Sequence, residues 1–366
     1  MASPLVLHVL PVDLARGAQT YARELRNALD GDEVRHRTVT LFHSGGAALR
    51  PDWSLAVPDG PLRRLGLDPR ARHRLRELLR VERPAIVVAH GGEPLKYAAA
   101  AGVEPARLAY YKIGIGGDRL NGVSGRLHRR VLARASVAAT VSDDAAAELR
   151  ALGVAPDRVV VIPNGRDPSV YRPRAAATTA DPNKPVRLAF VGHLAPSKRP
   201  ERFVELVCRL RADGRAVTAV VAGDGPLLEQ VRADAPDGVD VLGRVDDVPA
   251  VLAAADGFVF TSVPEGEGMP GVLIEASLAG LPIVTTAVPG ASTVVLDGET
   301  GFVVPVDDFD ALVRATTVLV DDPARRAAFG AAGRARATER FGLATSVAAW
   351  RDLLAAMMAG RCASST

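Results

Sequence analysis

The sequence predicts two α/β domains, each built on a parallel sheet covered by helices. Short apolar runs bounded by turn residues alternate with segments of helical period from one end of the 366 residues to the other, which is the pattern of such sheets. The length exceeds what one hydrophobic core usually supports. Between residues 171 and 185 the alternation stops in a stretch with three prolines and few large apolar side chains. We therefore expect a first domain at 1–174 and a linker at 175–185.

Each apolar run in the first half is predicted to be a strand, and each amphipathic segment a helix. The predicted strands are 5–10, 34–41, 85–89, 107–111, 137–141 and 159–162, and the predicted helices are 19–29, 70–80, 124–133 and 143–152. The run at 85–89 is entirely apolar, as expected for a buried strand of a parallel sheet.

The same alternation resumes after the linker. The predicted strands are 187–191, 216–222, 239–242, 257–261 and 283–286, and the predicted helices are 201–212, 227–233, 248–254, 271–279, 308–320 and 323 to about 359. Open α/β sheets bind ligands at the carboxyl ends of their strands. The loops that follow these strands are therefore the places to look for a site.

Composition excludes several classes of protein. Charged residues make up 24% of the chain and hydrophobic residues 48%, which argues against global disorder. The only cysteines are Cys208 and Cys362, so a disulfide scaffold is excluded. No apolar run approaches the roughly 18 residues of a membrane helix. No charged leader precedes Leu5, so no secretory signal is expected. Together these features predict a cytoplasmic protein.

Charge is divided unevenly along the chain. Residues 1–174 carry 27 Lys and Arg against 18 Asp and Glu, a net of +9, whereas the remaining residues carry a net of −6. The two halves are therefore expected to meet different partners.

The loop at 263–271 and the helix after it have the features of an anion site. The loop contains three glycines, which permit close approach of the backbone, and the helix start offers unpaired N–H groups. Neither a Walker pattern nor a dinucleotide fingerprint is present. Glu267 lies in the loop and Glu275 in the helix, and carboxylates accept hydrogen bonds from the vicinal hydroxyls of sugars and riboses. An ordinary surface loop with solvated acids is the alternative.

A second segment, at 191–200, also follows a predicted strand and opens a helix. Pro200 suits the first helical position. Lys198 and Arg199 would then lie at a helix amino terminus, where a cation is disfavoured by roughly 0.3–1 kcal/mol unless an anion is bound. The alternative is a pair of solvated cations that Glu201 partly offsets.

Five segments in this half together resemble retaining glycosyltransferases of family 4. They are Gly192-His193-Leu194 with Lys198, then Val221-Ala222-Gly223-Asp224-Gly225-Pro226, then Leu242-Gly243-Arg244-Val245, then Thr261-Ser262 leading to Glu267-Gly268-Met269-Pro270 and Glu275-Ala276, and finally Gly280-Leu281-Pro282. Seven residues separate the two glutamates, as in the Glu-x7-Glu element of that family. The resemblance implies the GT-B architecture of two facing Rossmann-like domains. The second domain is then expected at 186–345, with a helix at 346–366 that returns to the first.

The resemblance also implies a role for each matching residue. Lys198 is expected to neutralise the donor diphosphate and leaving group, Glu267 to bind the donor sugar, and Glu275 to bind the ribose. His193 stands where the family usually has Arg, and we include it with Lys198 and Glu267 as a catalytic candidate. The remaining donor-binding candidates are Gly192, Arg244, Val245, Gly268, Met269, Pro270, Gly271 and Val272.

The first domain is expected to bind the acceptor. Gly17 and Gln19 resemble the amino-terminal Gly loop of the family. Lys112 stands where the family commonly has His, and His90 ends a predicted strand, so both are acceptor-side candidates. A surface lysine and a structural histidine are the alternatives.

The expected activity is sugar transfer from a nucleotide diphosphate, most simply a UDP-sugar such as UDP-glucose or UDP-N-acetylglucosamine, with retention and without metal or cofactor. No His/Cys cluster at ligand spacing occurs in the sequence, and the acidic pairs at 143–144, 246–247 and 307–308 fit the starts of helices or turns. The acceptor is expected to be a small molecule, a glycan or a lipid-linked intermediate, and no nucleic acid is expected to bind. The alternatives are a UDP-sugar 2-epimerase of the same architecture and a non-catalytic sugar-nucleotide-binding subunit.

The stretch 63–83 contains eight arginines interleaved with leucines. Such a stretch could lie on an anionic membrane surface. Glu77 and Glu82 interrupt it, and this favours a solvated helix face over a peripheral membrane contact.

Overall fold

A computed structural model describes residues 3–13, 17–43, 50–64, 68–114, 122–173, 184–265 and 267–360. The chain divides into two units, one of Met1–Gly165 with Ala344–Thr366 and the other of Arg166–Leu343. Of the predicted linker, only residues 184 and 185 are described; 175–183 lie outside the described part.

The first unit contains a parallel sheet of seven strands in the order β3-β2-β1-β4-β5-β6-β7. The strands are β1 (Leu5–Val12), β2 (Arg35–His43), β3 (Trp53–Pro58), β4 (Ile86–His90), β5 (Leu108–Lys112), β6 (Val137–Thr140) and β7 (Val159–Val161). Its helices before residue 165 are α1 (Gly17–Leu29), α2 (Pro61–Arg64), α3 (Pro69–Glu82), α4 (Gly92–Ala100), α5 (Gly122–Leu132) and α6 (Asp143–Ala151).

The second unit contains a parallel sheet of six strands in the order β10-β9-β8-β11-β12-β13. The strands are β8 (Val186–Val191), β9 (Val217–Ala222), β10 (Val239–Gly243), β11 (Gly257–Phe260), β12 (Ile283–Thr286) and β13 (Gly301–Val304). The helices are α7 (Pro200–Ala212), α8 (Leu228–Asp234), α9 (Val248–Ala253), α10 (Gly271–Leu278), α11 (Ala291–Val294), α12 (Phe309–Asp321) and α13 (Pro323–Phe341). The last helix, α14 (Leu343–Met358), belongs to the first unit from Ala344 onward. The predicted class of two parallel α/β domains is thus confirmed.

The last helix returns to the first unit, as predicted. Trp350, fully buried on α14, donates from its indole nitrogen to the Tyr21 hydroxyl on α1 at 3.2 Å. That hydroxyl also lies 2.6 Å from Ser346 Oγ. An aromatic side chain and two hydrogen bonds therefore fix α14 against α1.

The prediction of one helix from 323 to about 359 was wrong. The helix breaks at Gly342, which has extended backbone. The break lets the backbone on either side pair with Arg166: the Arg166 N–H donates to Phe341 O at 2.9 Å, and the Leu343 N–H donates to Arg166 O at 2.8 Å. A contact with a distant segment thus replaces the helical hydrogen bonds that would have continued across residue 342.

Three elements of the first unit and two of the second were not predicted: β3, α2, α4, α11 and β13. In β3, buried and exposed residues alternate, as they do on an edge strand. The helix α4 opens with Gly92, Glu93 and Pro94, which have the composition of a turn. Within the described ranges, no helix is both long enough and apolar enough to cross a membrane.

Candidate active site

Lys198 and Glu267 lie on two neighbouring loops at the carboxyl edge of the second sheet. Lys198 ends a single 3₁₀ turn after β8, and Glu267 lies in the loop after β11, the strand next to β8. Lys198 Nζ donates to Glu267 Oε1, and it lies 5.2 Å from the centre of the Phe260 ring. The structure therefore brings together two of the residues that the sequence predicted to act on the donor.

Side-chain hydrogen bonds fix both loops. Thr261 Oγ1 lies 2.9 Å from the carbonyl oxygens of Lys198 and Arg199. Ser262 Oγ lies 2.6 Å from Glu267 Oε1 and 3.0 Å from Ser197 O. Glu267 is buried, so its oxygen Oε1 is held from two sides. This preorganisation lowers the reorganisation needed when charge develops beside it.

The start of α10 lies directly after Glu267. Gly268, Met269 and Pro270 are buried, while Gly271 and Val272 are half-buried. The backbone N–H groups of the first helical turn have no partner within the helix, so this terminus can bind an anion.

The backbone around Gly290 passes close to this loop. Gly290 has φ +74°, and a Cβ there would lie 2.4 Å from Gly268 O. A side chain at position 290 would therefore displace the loop that carries Glu267.

Glu275 forms an ion pair that the sequence did not predict. Arg166 Nε donates to Glu275 Oε1 at 2.8 Å, and the two side chains are 6% and 15% exposed. The residue predicted to bind the ribose is therefore already held by a buried guanidinium.

Asp224 lies between two of the predicted site residues, His193 and Arg244. One of its carboxylate oxygens is 3.5 Å from His193 Nδ1, and the other is 4.0 Å from a nitrogen of Arg244. All three side chains are half or more exposed, so each contact contributes little to stability. Gly192 and Val245, the other candidates on these loops, are half-buried. The positive potential expected from His193 and Arg244 is thereby reduced.

Arg199 does not need a bound anion. Its guanidinium donates to Asp307 Oδ1 at 2.8 Å and to Val306 O at 3.2 Å. The electrostatic conflict inferred from the start of α7 is therefore relieved within the protein.

The acceptor-side candidates lie in the first unit. Gly17 opens α1, Gln19 lies in its first turn, His90 ends β4 and Lys112 ends β5. Lys112 is not a surface lysine, because its side chain is 2% exposed and its Nζ lies 3.4 Å from Glu148 Oε2.

Three buried polar atoms surround β1 without a hydrogen-bond partner among the described residues: Gln19 Oε1, Thr40 Oγ1 and His90 Nδ1. Thr40 pairs with Leu10 across the sheet, and His90 ends the strand on the other side of β1. Leu10 packs against Ala22 of α1, the helix that carries Gln19. Unpaired buried polar groups cost free energy, so this carboxyl-end face suits a polar ligand.

A chain of three buried histidines runs diagonally across the same sheet. His8 Nδ1 lies 2.9 Å from His90 Nε2, and His8 Nε2 lies 3.1 Å from His36 Nδ1. Burial lowers the pKa of each: to about 3 for His90 and about 4 for His36. The pKa of His8 is also well below its usual value, because of burial and then the neighbouring histidines. All three rings are therefore neutral at pH 7.

The three neutral histidines can form both hydrogen bonds in two alternative proton arrangements. Each N···N contact needs one proton, so either His90 Nδ1 carries the third proton or His36 Nε2 does. His90 can therefore present a donor or an acceptor at the carboxyl end of β4 without a change in net charge.

No group of three or more His, Cys, Asp or Glu side chains with the arrangement of a metal site occurs in the described portion of the chain. Whether the reaction needs a metal is a separate matter, and metal independence stays a prediction.

Comparison with known proteins assigns the family. Residues 15–170 match the model described as Glycosyltransferase Family 4, and residues 185–322 match the model described as Glycosyl transferases group 1. These two matches cover most of both units. The chain belongs to glycosyltransferase family 4.

Among relatives of this family 4 glycosyltransferase is the GDP-mannose-dependent alpha-(1-6)-phosphatidylinositol monomannoside mannosyltransferase of Mycolicibacterium smegmatis. It is 33% identical over 68% of this chain and 65% of its own length. The UDP-Gal:alpha-D-GlcNAc-diphosphoundecaprenol alpha-1,3-galactosyltransferase of Escherichia coli is 29% identical over 48% of each chain. The matches thus span about half to two thirds of these relatives.

Solved structures show the same GT-B fold. HepE of Anabaena, in complex with UDP and glucose, has a TM-score of 0.75 at 19% identity and covers 96% of this chain and 99% of its own. Sucrose-phosphate synthase from Thermosynechococcus elongatus has a TM-score of 0.77 at 18% identity, over 97% and 99%.

Sequence reasoning missed Arg166, Thr40 and two of the three buried histidines. Arg166 follows a predicted strand by four residues, and no local pattern in the sequence indicates its partner. His8 interrupts an apolar strand, and a polar residue inside a buried strand is the signal that could have identified it. His36 lies between Arg35 and Arg37 and gives no such signal.

Proposed function

We propose that this family 4 glycosyltransferase moves a sugar from a nucleotide diphosphate, most simply a UDP-sugar, to an acceptor hydroxyl with retention of anomeric configuration and without metal. The observation that carries the proposal is the Lys198–Glu267 pair on the loops beside the amino-terminal end of α10. Departure of a nucleoside diphosphate builds negative charge on phosphate, and a fixed cation with helix N–H groups stabilises that charge.

In this reaction the acceptor oxygen forms a bond to the anomeric carbon while the bond from that carbon to the phosphate oxygen breaks. The bonding electrons go to the departing diphosphate, which also takes the acceptor proton. Lys198 would neutralise the diphosphate. Glu267 would accept hydrogen bonds from the sugar hydroxyls, with Ser262 and Lys198 orienting it. No protein nucleophile is required.

The relatives and solved structures differ in the base of the donor nucleotide. The relatives named above use GDP-mannose or UDP-galactose, and HepE was solved with UDP and glucose. We propose UDP, with GDP as the competing outcome of the test.

For the acceptor we propose a polyhydroxylated molecule, either small or carried on a lipid. The carboxyl edge of the first sheet has three buried polar atoms that can meet hydroxyl groups, and the first half of the chain carries a net charge of +9. Both relatives act on acceptors whose names include a phosphate-linked lipid, which agrees with a basic acceptor domain. The exposed thiol of Cys208 agrees with a reducing compartment such as the cytoplasm.

The test is incubation of the protein with UDP-, GDP- and dTDP-sugars in EDTA, with measurement of nucleotide release with and without acceptor mixtures. We expect release from a UDP-sugar, reduced about 10²–10³-fold by Lys198→Ala, as for loss of one transition-state contact. Lys96→Ala, which removes a half-buried lysine of α4, is the matched control. Release from none of the donors would refute the proposal, and an epimerised nucleotide sugar would favour the epimerase alternative.

A further inference from the structure

Arg166 occupies a fixed position against Glu275. Its Nε donates to Glu275 Oε1 at 2.8 Å, and its backbone pairs with Phe341 and Leu343 at the break between α13 and α14. Both side chains are largely buried. Main-chain and side-chain contacts together hold the guanidinium in one place.

That place is electrostatically unusual for a cation. Gly271 is the first residue of α10, and a Cβ added there would lie 2.6 Å from Arg166 Nη2, so the guanidinium covers the amino-terminal end of the helix. The positive end of the helix dipole disfavours a cation at this point. Arg334, by contrast, donates to Leu278 O at the carboxyl end of the same helix, where the dipole favours it. The negative charge of Glu275 offsets the positive charge of Arg166 at this end of the helix.

One carboxylate oxygen of Glu275 is bound to Arg166, and the other can accept hydrogen bonds from a ligand. Oε1 accepts from Arg166, whereas Oε2 has no hydrogen-bond partner in the part of the chain that the structure describes. A carboxylate oxygen has room to accept two hydrogen bonds, and vicinal hydroxyls supply two donors. A carboxylate fixed through one oxygen presents the other in a defined direction, which a freely rotating Glu does not.

We propose that Arg166 determines specificity for the donor nucleotide: it fixes Glu275 so that Oε2 accepts from the vicinal hydroxyls of the ribose. The inference rests on the proposed function, in which Glu275 faces the ribose. It predicts that the protein discriminates ribonucleotide donors from deoxyribonucleotide donors, and that Arg166, although it does not touch the ribose, sets that discrimination.

The experiment is calorimetric titration of the full chain with UDP and with 2′-deoxy-UDP and 3′-deoxy-UDP. A lost hydrogen bond to a charged group predicts that wild type prefers UDP over at least one deoxy analogue by about tenfold or more. In Arg166→Met this preference should fall to about twofold, because Glu275 is no longer oriented. Arg166→Lys, which can still donate to Oε1, should restore part of it.

Arg334→Met is the matched control, because it removes the guanidinium at the opposite end of α10. It should lower the melting temperature and keep the full preference for UDP. Should Arg166→Met fail to fold, Glu275→Gln in the presence of Arg166 must also abolish the preference.

A folded Arg166→Met protein that keeps the wild-type preference would overturn the inference while the proposed function stands. Wild type that binds neither UDP nor GDP would overturn the proposed function as well, and the two failures are thereby distinguished.

Discussion

The buried chain His36–His8–His90 makes the stability of the first unit depend on pH in a predictable direction. Burial holds the pKa of His36 at about 4 and that of His90 at about 3, against about 6.5 in an unfolded chain. A histidine with a lowered pKa favours folding above the unfolded value, and its contribution is lost as pH falls below about 6.5. Acidification should therefore destabilise this unit well before any carboxylate titrates.

The magnitude follows from linkage. Each such histidine costs about 1.4 kcal/mol of unfolding free energy for every pH unit below 6.5, until its folded pKa is reached. Between pH 7 and pH 5, His36 and His90 alone should lower the unfolding free energy by about 4 kcal/mol. His8, whose pKa is also lowered, adds to this loss. Carboxylates, with unfolded pKa values near 4, contribute little in this window.

The assay is urea unfolding at pH 5, 6 and 7, monitored by tryptophan fluorescence. The only two tryptophans, Trp53 and Trp350, both lie in the first unit, so the signal reports that unit alone. His90→Gln should reduce the pH dependence by about a third, since one of the three titrating histidines is removed. His73→Gln, at an exposed position of α3, is the matched control and should leave it unchanged.

A loss of less than about 1 kcal/mol between pH 7 and pH 5 would refute the reasoning, because it would mean that the histidines bind protons equally well when folded and unfolded.

Three further changes test other parts of the account. His193→Arg should be tolerated or should increase turnover, since it restores a permanent cation at a half-exposed position; a loss of more than about tenfold in kcat would contradict this. Asp224→Asn should tighten UDP binding several-fold in calorimetry, because it removes the carboxylate beside His193 and Arg244, and the gain should shrink at high salt; a weaker complex would count against it. Trp350→Ala should lower the unfolding free energy of the first unit by about 3–5 kcal/mol, measured by circular dichroism; a loss below about 1 kcal/mol would show that α14 contributes little to that unit.

The donor-side loops of the second unit could be predicted because their signals lie close together in sequence. The loop between β11 and α10 could be identified because glycines, a helix start and two acids lie close together in sequence. Lys198 and Glu267 could be placed at one edge of the sheet because the carboxyl ends of parallel strands lie together there.

Contacts between distant segments could not be predicted in the same way. The Arg166–Glu275 pair joins residues 109 positions apart, and neither side chain has a local pattern that names its partner. The break at Gly342 depends on Arg166 in turn, so helical periodicity alone predicted a continuous helix.

The contacts among the three buried histidines could not be predicted from the sequence either. His36, His8 and His90 lie on three strands that are adjacent only in the order β2-β1-β4, and this order follows from crossovers that strand prediction does not give. His90 was singled out by its place at a strand end, but its partners required the register.

The most direct test of the central claim is the anomeric configuration of the product made from an α-linked UDP-sugar, determined by NMR for wild type and Lys198→Ala in EDTA. We expect an α-linked product from wild type and at least about a hundredfold slower formation of the same product by the variant. A β-linked product, or a variant as fast as wild type, would contradict it.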